Sequence, residues 1–269
     1  MPNSNPLGEL SRTWQMRRYI AYRAYLNQKL SVRRSKIGIY IEPIMLIVST
    51  FLITVVWNKL FGKGGGREFQ DFYLYVLCSF TIWGFISSIV RKTSSTLVRR
   101  AKFITTTQDP LLSWVAIDLA SELFSFLLLL PAVIVVCLLV SDGLHLSSVF
   151  YVIYGVLLVL LSGIGFGLTV GVACFYYGDL QRLISAFMSV AFLLTPIIWQ
   201  LERLGEYKSY IYFNPFYNYL AVFRDGLLLG RVGNLELIIA TSTTLVLLIV
   251  GLSFLRFQYR AIRAHAFSI

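Results

Sequence analysis

An all-α integral membrane fold with six transmembrane helices is predicted by three observations. Hydrophobic residues make up 57% of the 269-residue chain and charged residues only 14%, where a soluble domain carries roughly 25% charged residues. The apolar residues gather in runs of the length, about 20 residues, that crosses a hydrocarbon layer of roughly 30 Å. The charges sit in the gaps between those runs. A backbone inside the bilayer must satisfy its own hydrogen bonds, which a helix does within one segment.

Residues 1–36 form a cytoplasmic N-terminal segment. Its first residues lack the apolar core of a cleavable signal peptide, so the first span is expected to direct insertion. Over 10–36, Tyr19, Tyr22, Leu26 and Leu30 share a narrow helical stripe, with Arg17, Arg18 and Lys29 elsewhere on the circumference. That is the pattern of an amphipathic helix lying on the inner membrane surface. The membrane domain covers 37–257, with spans expected at 37–61, 69–90, 111–140, 147–177, a shorter 183–200, and 234–257. Residues 258–269 are a cytoplasmic tail.

With the N-terminus inside, seventeen of the 24 Lys and Arg fall on the cytoplasmic side and seven on the other. The positive-inside rule then puts both termini in the cytoplasm, as an even span count requires. The net charge of +11 is distributed as span-flanking residues rather than as one soluble basic face, so nucleic acid is not the expected partner.

Two connections stand out. Residues 91–110 are polar and basic, expected either as a solvated loop or as a short cytoplasmic helix offering a docking surface. Residues 201–233 lie outside by topology, yet the stretches IYFNPFYNYL and GLLLG are too apolar for a free loop. Apolar stretches of 10–14 residues indicate re-entrant or interfacial segments, and Asn214–Pro215 supplies a turn. A re-entrant helical hairpin before the last span is expected.

No catalytic constellation is visible. His145 and His265 lie apart from any nucleophile or metal partner, so no metal site is expected. The glycine-rich 61–69 lacks the spacing of a phosphate-binding loop. Cys78, Cys137 and Cys174 each fall within an apolar run and read as small core residues. Three carboxylates lie in spans. Glu42 is placed near the inner interface, while Asp118 and Glu122, four residues apart, share one helix face. Glu122 would sit about 16 Å past Leu111, near mid-membrane. Such groups are costly and therefore functional by default. They could serve a proton relay in an ion-coupled secondary transporter, or a polar contact with a basic or hydroxyl group. Gly163, Gly167 and Gly171 form a small-residue ridge suited to close helix packing. Trp57, Tyr73, Tyr75 and Trp199 gather at outer span ends, either as an interfacial belt or as faces for stacking on sugar rings.

Several motifs then fall in order: Gly178-Asp179-Leu180-Gln181-Arg182; Thr195-Pro196-Ile197 within FLLTPIIW; and Asn214-Pro215, Arg224 and Leu228-Leu229-Gly230. With the span pattern, they resemble the permease subunits of type 2 ABC exporters, and within them the branch that exports O-antigen, teichoic acid and capsule. Gly178 departs from the Arg that often precedes the Asp-Leu pair. The resemblance implies a homodimer bound to two copies of a separate ATPase that holds the ATP and Mg, with no cofactor in this chain. It implies a bacterial cytoplasmic (inner) membrane location and, as cargo, a glycan on an undecaprenyl-type lipid. ATPase coupling would fall to Thr93, Ser94, Leu97, Arg99, Arg100, Lys102, Asp179, Leu180 and Arg182. Trp57, Tyr73, Tyr75, Trp199 and Tyr217 would line the path. The same fold with a drug, haem or lipid as cargo is the nearest alternative.

Overall fold

The computed structural model describes residues 6–32, 38–61, 67–107, 109–141 and 143–266; the expected glycine-rich turn falls in good part outside them. Among the described residues every regular element is helical. Five helices are long and apolar enough to cross a membrane. They are α3 (Gly38–Phe61), α4 (Arg67–Arg99), α6 (Leu111–Val140), α7 (Leu146–Tyr176) and α10 (Asn234–Ala266). Two N-terminal helices, α1 (Pro6–Gln15) and α2 (Arg17–Val32), lie against α6. The remaining elements are α5 (Ala101–Thr106), α8 (Leu180–Leu194), a 3₁₀ segment (Leu201–Phe213) and α9 (Pro215–Leu229).

α4 is the hub. Its stretch from Phe72 to Val90 is apolar on nearly all sides, which suits a helix enclosed by others, and α3, α6, α7, α8 and α9 pack around it. Leu77, Cys78, Ile82 and Ile89 are no more than 1% exposed. The Cys78 and Cys137 sulfurs lie 3.8 Å apart as free thiols, joining α4 to α6.

Lipid tails are as apolar as leucine, so helices associate in a membrane through close packing rather than through water exclusion. The glycines of α7 show how. A Cβ on Gly163 would stand 2.6 Å from Ile89 Cγ2, and one on Gly171 would stand 2.8 Å from the Thr93 carbonyl oxygen. That ridge therefore holds α7 against α4 and α6. Gly165, on another face, meets α10: its Cβ would overlap the Leu247 carbonyl. Gly165→Leu is accordingly expected to cost about 1–3 kcal/mol or more by overpacking. A fall in the unfolding midpoint in detergent would register it, with Gly178→Ala, where a Cβ meets nothing within 4 Å, as the unaffected control.

Several boundaries differ from expectation. α4 does not stop at Val90 but runs to Arg99, so much of the anticipated 91–110 connection is helix. Its hydroxyl-rich run favours turns, but the hydroxyls bond back to the helix. Thr93 donates to the Ile89 carbonyl at 2.8 Å and Ser95 to the Arg91 carbonyl at 3.1 Å. The span expected at 183–200 is only the 15-residue α8, about 22 Å long. Pro196 disfavours helical geometry at Thr195, which is extended (φ −98°, ψ 136°). In α2 the inward face is Ile20 and Ala24, while Tyr19, Tyr22 and Leu30 of the predicted stripe point away from the bundle. Asn27 and Gln28 hydrogen-bond Ser121 and Ser125 of α6.

Candidate functional site

Two buried polar clusters tie the helices together at opposite ends of α4. The first is built by the unexpected length of that helix, whose end brings three cations alongside the start of α6. Asp118 accepts from Thr96 Oγ1 at 2.6 Å, Arg99 Nη2 at 3.0 Å and Arg100 Nη2 at 2.6 Å. Glu122 accepts from Lys92 Nζ. Arg100 also donates to the Trp114 carbonyl at 2.6 Å, and its guanidinium lies 5.3 Å from that indole's centre. Burial pulls the Arg100 pKa down, opposed by Asp118, and the guanidinium stays charged.

Lys92 stands two residues past Val90, where the apolar stretch of α4 ends, so Glu122 is paired with a side chain at the polar end of that helix. Glu42, in the first turns of α3, is exposed near the same end.

The second cluster assembles the motifs that are scattered in sequence. Asn214 caps α9, its Oδ1 accepting from the Phe216 amide at 3.0 Å, while its Nδ2 donates to Thr195 Oγ1 at 3.0 Å. Arg224, 4% exposed, donates to Asp225 at 2.7 Å, to the Pro196 carbonyl at 3.2 Å and weakly to Ser79 at 3.5 Å. Its guanidinium lies 4.1 Å from the centre of the Tyr75 ring, a favourable cation–π arrangement. The Tyr75 hydroxyl in turn shares its one proton between the carbonyls of Pro196 at 2.9 Å and Trp199 at 3.0 Å. Irregular backbone at membrane depth persists where protein groups satisfy it. Here Tyr75 and Arg224 supply the hydrogen bonds that the broken end of α8 lacks. Gly230, in left-handed geometry (φ 63°), ends α9, and its carbonyl accepts from Ser147 Oγ at 2.7 Å.

The residues singled out from sequence therefore divide. Thr93, Ser94 and Leu97 are at most 2% exposed, packed inside the bundle, and present no surface to a partner. Arg99 and Arg100 are drawn into the Asp118 cluster. Lys102 is exposed on α5, and Asp179, at the N-cap of α8, and Arg182, in its first turn, have side chains 94% and 90% exposed; Leu180 packs partly against the core. Among the aromatics, Tyr73 and Tyr217 are buried within the chain and Tyr75 is committed to the Arg224 cluster. Trp57 is half-buried, and Trp199 Nε1 donates to the Leu193 carbonyl at 3.1 Å. Tyr207, Tyr210 and Phe213 are exposed. They border a cavity of about 570 Å³ with Phe187, Asn214 and Phe216. The sequence places Arg224 on the outer side, within the expected re-entrant hairpin 201–233, without marking it as buried. An arginine within YLAVFRDGLLL, a charge among apolar neighbours, was the signal of a buried cation.

Residues 24–228 match the model of a family described as ABC-2 type transporter. No curated protein matches the chain.

Proposed function

This chain belongs to the ABC-2 type transporter family, and on that premise we propose that it is the permease subunit of an ATP-driven exporter moving a lipid-linked polysaccharide across the bacterial cytoplasmic membrane. Membership makes it a multi-pass transport subunit of a kind that normally works with an ATPase partner. The observation that supports the glycan reading is the Arg224 cluster. The Thr-Pro, Asn-Pro and Arg stretches that resemble the polysaccharide branch touch one another there, beside a cavity edged by Tyr207, Tyr210 and Phe213. Aromatic faces of this kind suit the apolar sides of sugar rings.

In this reading the chain crosses six times, α8 together with 195–200 forming the fifth crossing. The 3₁₀ segment and α9 form the re-entrant hairpin, and both termini are cytoplasmic. Two copies meet along α8. Its uncovered face carries Ser185 and Ser189 at small-xxx-small spacing, which favours helix association over lipid. The glycan passes between the copies. Asp179 and Arg182, with Lys102, face the two ATPase subunits.

Purification with the ATPase encoded beside it, followed by ATP hydrolysis with and without lipid-linked glycan, tests the reading. Glycan is expected to stimulate hydrolysis several-fold. Asp179→Ala with Arg182→Ala is expected to reduce that to the basal rate without changing the unfolding midpoint. Stimulation by haem, a drug or a plain lipid, with none by glycan, would reassign the cargo. Failure to bind any ATPase would overturn the exporter itself.

A further inference from the structure

A second cavity, about 320 Å³, opens between α3, α4 and α6. Three helical stripes face it, and each grades in the same direction. On α4 the stripe runs Lys92, Ser88, Gly84, Phe80; on α6 it runs Glu122, Ser125, Leu129; on α3 it runs Glu42, Leu46. Each step is three or four residues, one turn of helix. Along α4 and α6 the cavity thus passes from charge through hydroxyl to hydrocarbon over about 10–18 Å, and along α3 from charge to hydrocarbon within about one turn. Gly84 is exposed while its neighbours from Thr81 to Ser87 are buried, and a Cβ there would meet nothing within 4 Å. The space is built into the most enclosed helix of the fold.

We propose that this cavity binds the headgroup of an aminophospholipid, a phosphate ester of a primary ammonium such as phosphatidylethanolamine, held by the permease and not transported by it. Two carboxylates and one ammonium line the mouth, so the lining favours a group that carries its own positive charge. The three N–H groups of the lipid ammonium go to Glu42, Glu122 and the Ser88 oxygen, all of which line the cavity. Lys92, its side chain 44% exposed despite its bond to Glu122, takes a phosphate oxygen. A choline headgroup has no N–H to donate. A polyprenyl pyrophosphate or a phosphatidylglycerol brings negative charge to two carboxylates. The volume is at the lower end of the roughly 300–1,000 Å³ of ligand pockets. It accommodates a headgroup and the first part of one chain along Phe80, Phe85, Phe126 and Leu129, the rest lying in the bilayer. The proposal stands apart from the cargo reading, and either can fail alone.

The full chain, with its ATPase, is placed in phosphatidylglycerol nanodiscs containing a trace of phosphatidylethanolamine with a photoactivatable acyl chain, and cross-linked peptides are mapped. Labelling is expected on α3, α4 and α6 around the cavity. It should fall at least five-fold with unlabelled phosphatidylethanolamine and less than two-fold with phosphatidylcholine or a polyprenyl pyrophosphate. Gly84→Leu, which fills the open space, should reduce it to a similar degree. Glu42→Gln, at an exposed position, should reduce it several-fold, and decides the matter if Gly84→Leu fails to fold. Equal competition by the other lipids, or unchanged labelling in the decisive variant, overturns the proposal.

Discussion

Arg224→Leu is expected to destabilise the protein by about 3–5 kcal/mol, the usual cost of breaking a buried ion pair from one side. That is a large fraction of the about 5–15 kcal/mol by which folded domains are stable. The substitution removes the donors to Asp225 and the Pro196 carbonyl, and the cation over Tyr75. The Pro196 carbonyl keeps Tyr75 as a donor, so the largest penalty falls on the Asp225 carboxylate. Arg224→Lys keeps the charge but not the fork of donors and should recover only part of the loss. Arg224→Leu with Asp225→Asn removes both charges and should be less damaging than Arg224→Leu alone. Unfolding midpoints of the detergent-solubilised protein measure all three. A single variant that unfolds like the parent would show that the cluster does not hold α9 to α4 and the end of α8.

The helical membrane fold was legible because its signals are local. Apolar run lengths identify α3, α6, α7 and α10, and the Gly163, Gly167 and Gly171 spacing marked a packing face that meets Ile89, Val115 and Thr93. What sequence concealed depends on which helices become neighbours. The KTSST run looks like a loop until its hydroxyls are seen bonded to the preceding turn and Thr93 is seen under Gly171. Asp118 and Glu122 look like isolated carboxylates in a span until α4, extended to Arg99, brings Lys92, Arg99 and Arg100 beside them. Tyr73, Tyr75 and Tyr217, expected to line a path, are turned into the bundle. Their commitment to internal contacts is a matter of side-chain direction, which hydropathy does not encode. The outer motifs were legible as words in order, and only their meeting through Thr195, Asn214 and Arg224 gives them a common physical role.

Asp118→Asn carries the other large effect, and it separates a structural carboxylate from a proton relay. Asp118 has 5% of its side chain exposed and binds two guanidinium groups and a hydroxyl. Asparagine keeps the shape but removes the charge and turns one acceptor into a donor. Arg99 has 49% of its side chain exposed, so water replaces its partner at small cost. Arg100 has only 16% exposed and is left as a poorly solvated cation under Trp114. A loss of about 3–5 kcal/mol is expected, on the same grounds as for other one-sided buried pairs. Because α4, α5 and α6 are joined at this point, the surviving folded fraction should also show weaker coupling between cargo and ATP hydrolysis. Pairing Asp118→Asn with Arg100→Gln removes the orphaned charge, and an interaction energy of about 0.5–3 kcal/mol is expected between the two positions. If Asp118 only anchors a cation, the double variant regains both stability and ATP-driven transport. If Asp118 carried protons, the double variant would regain stability and remain inactive, since neither amide can take up and release a proton along the path.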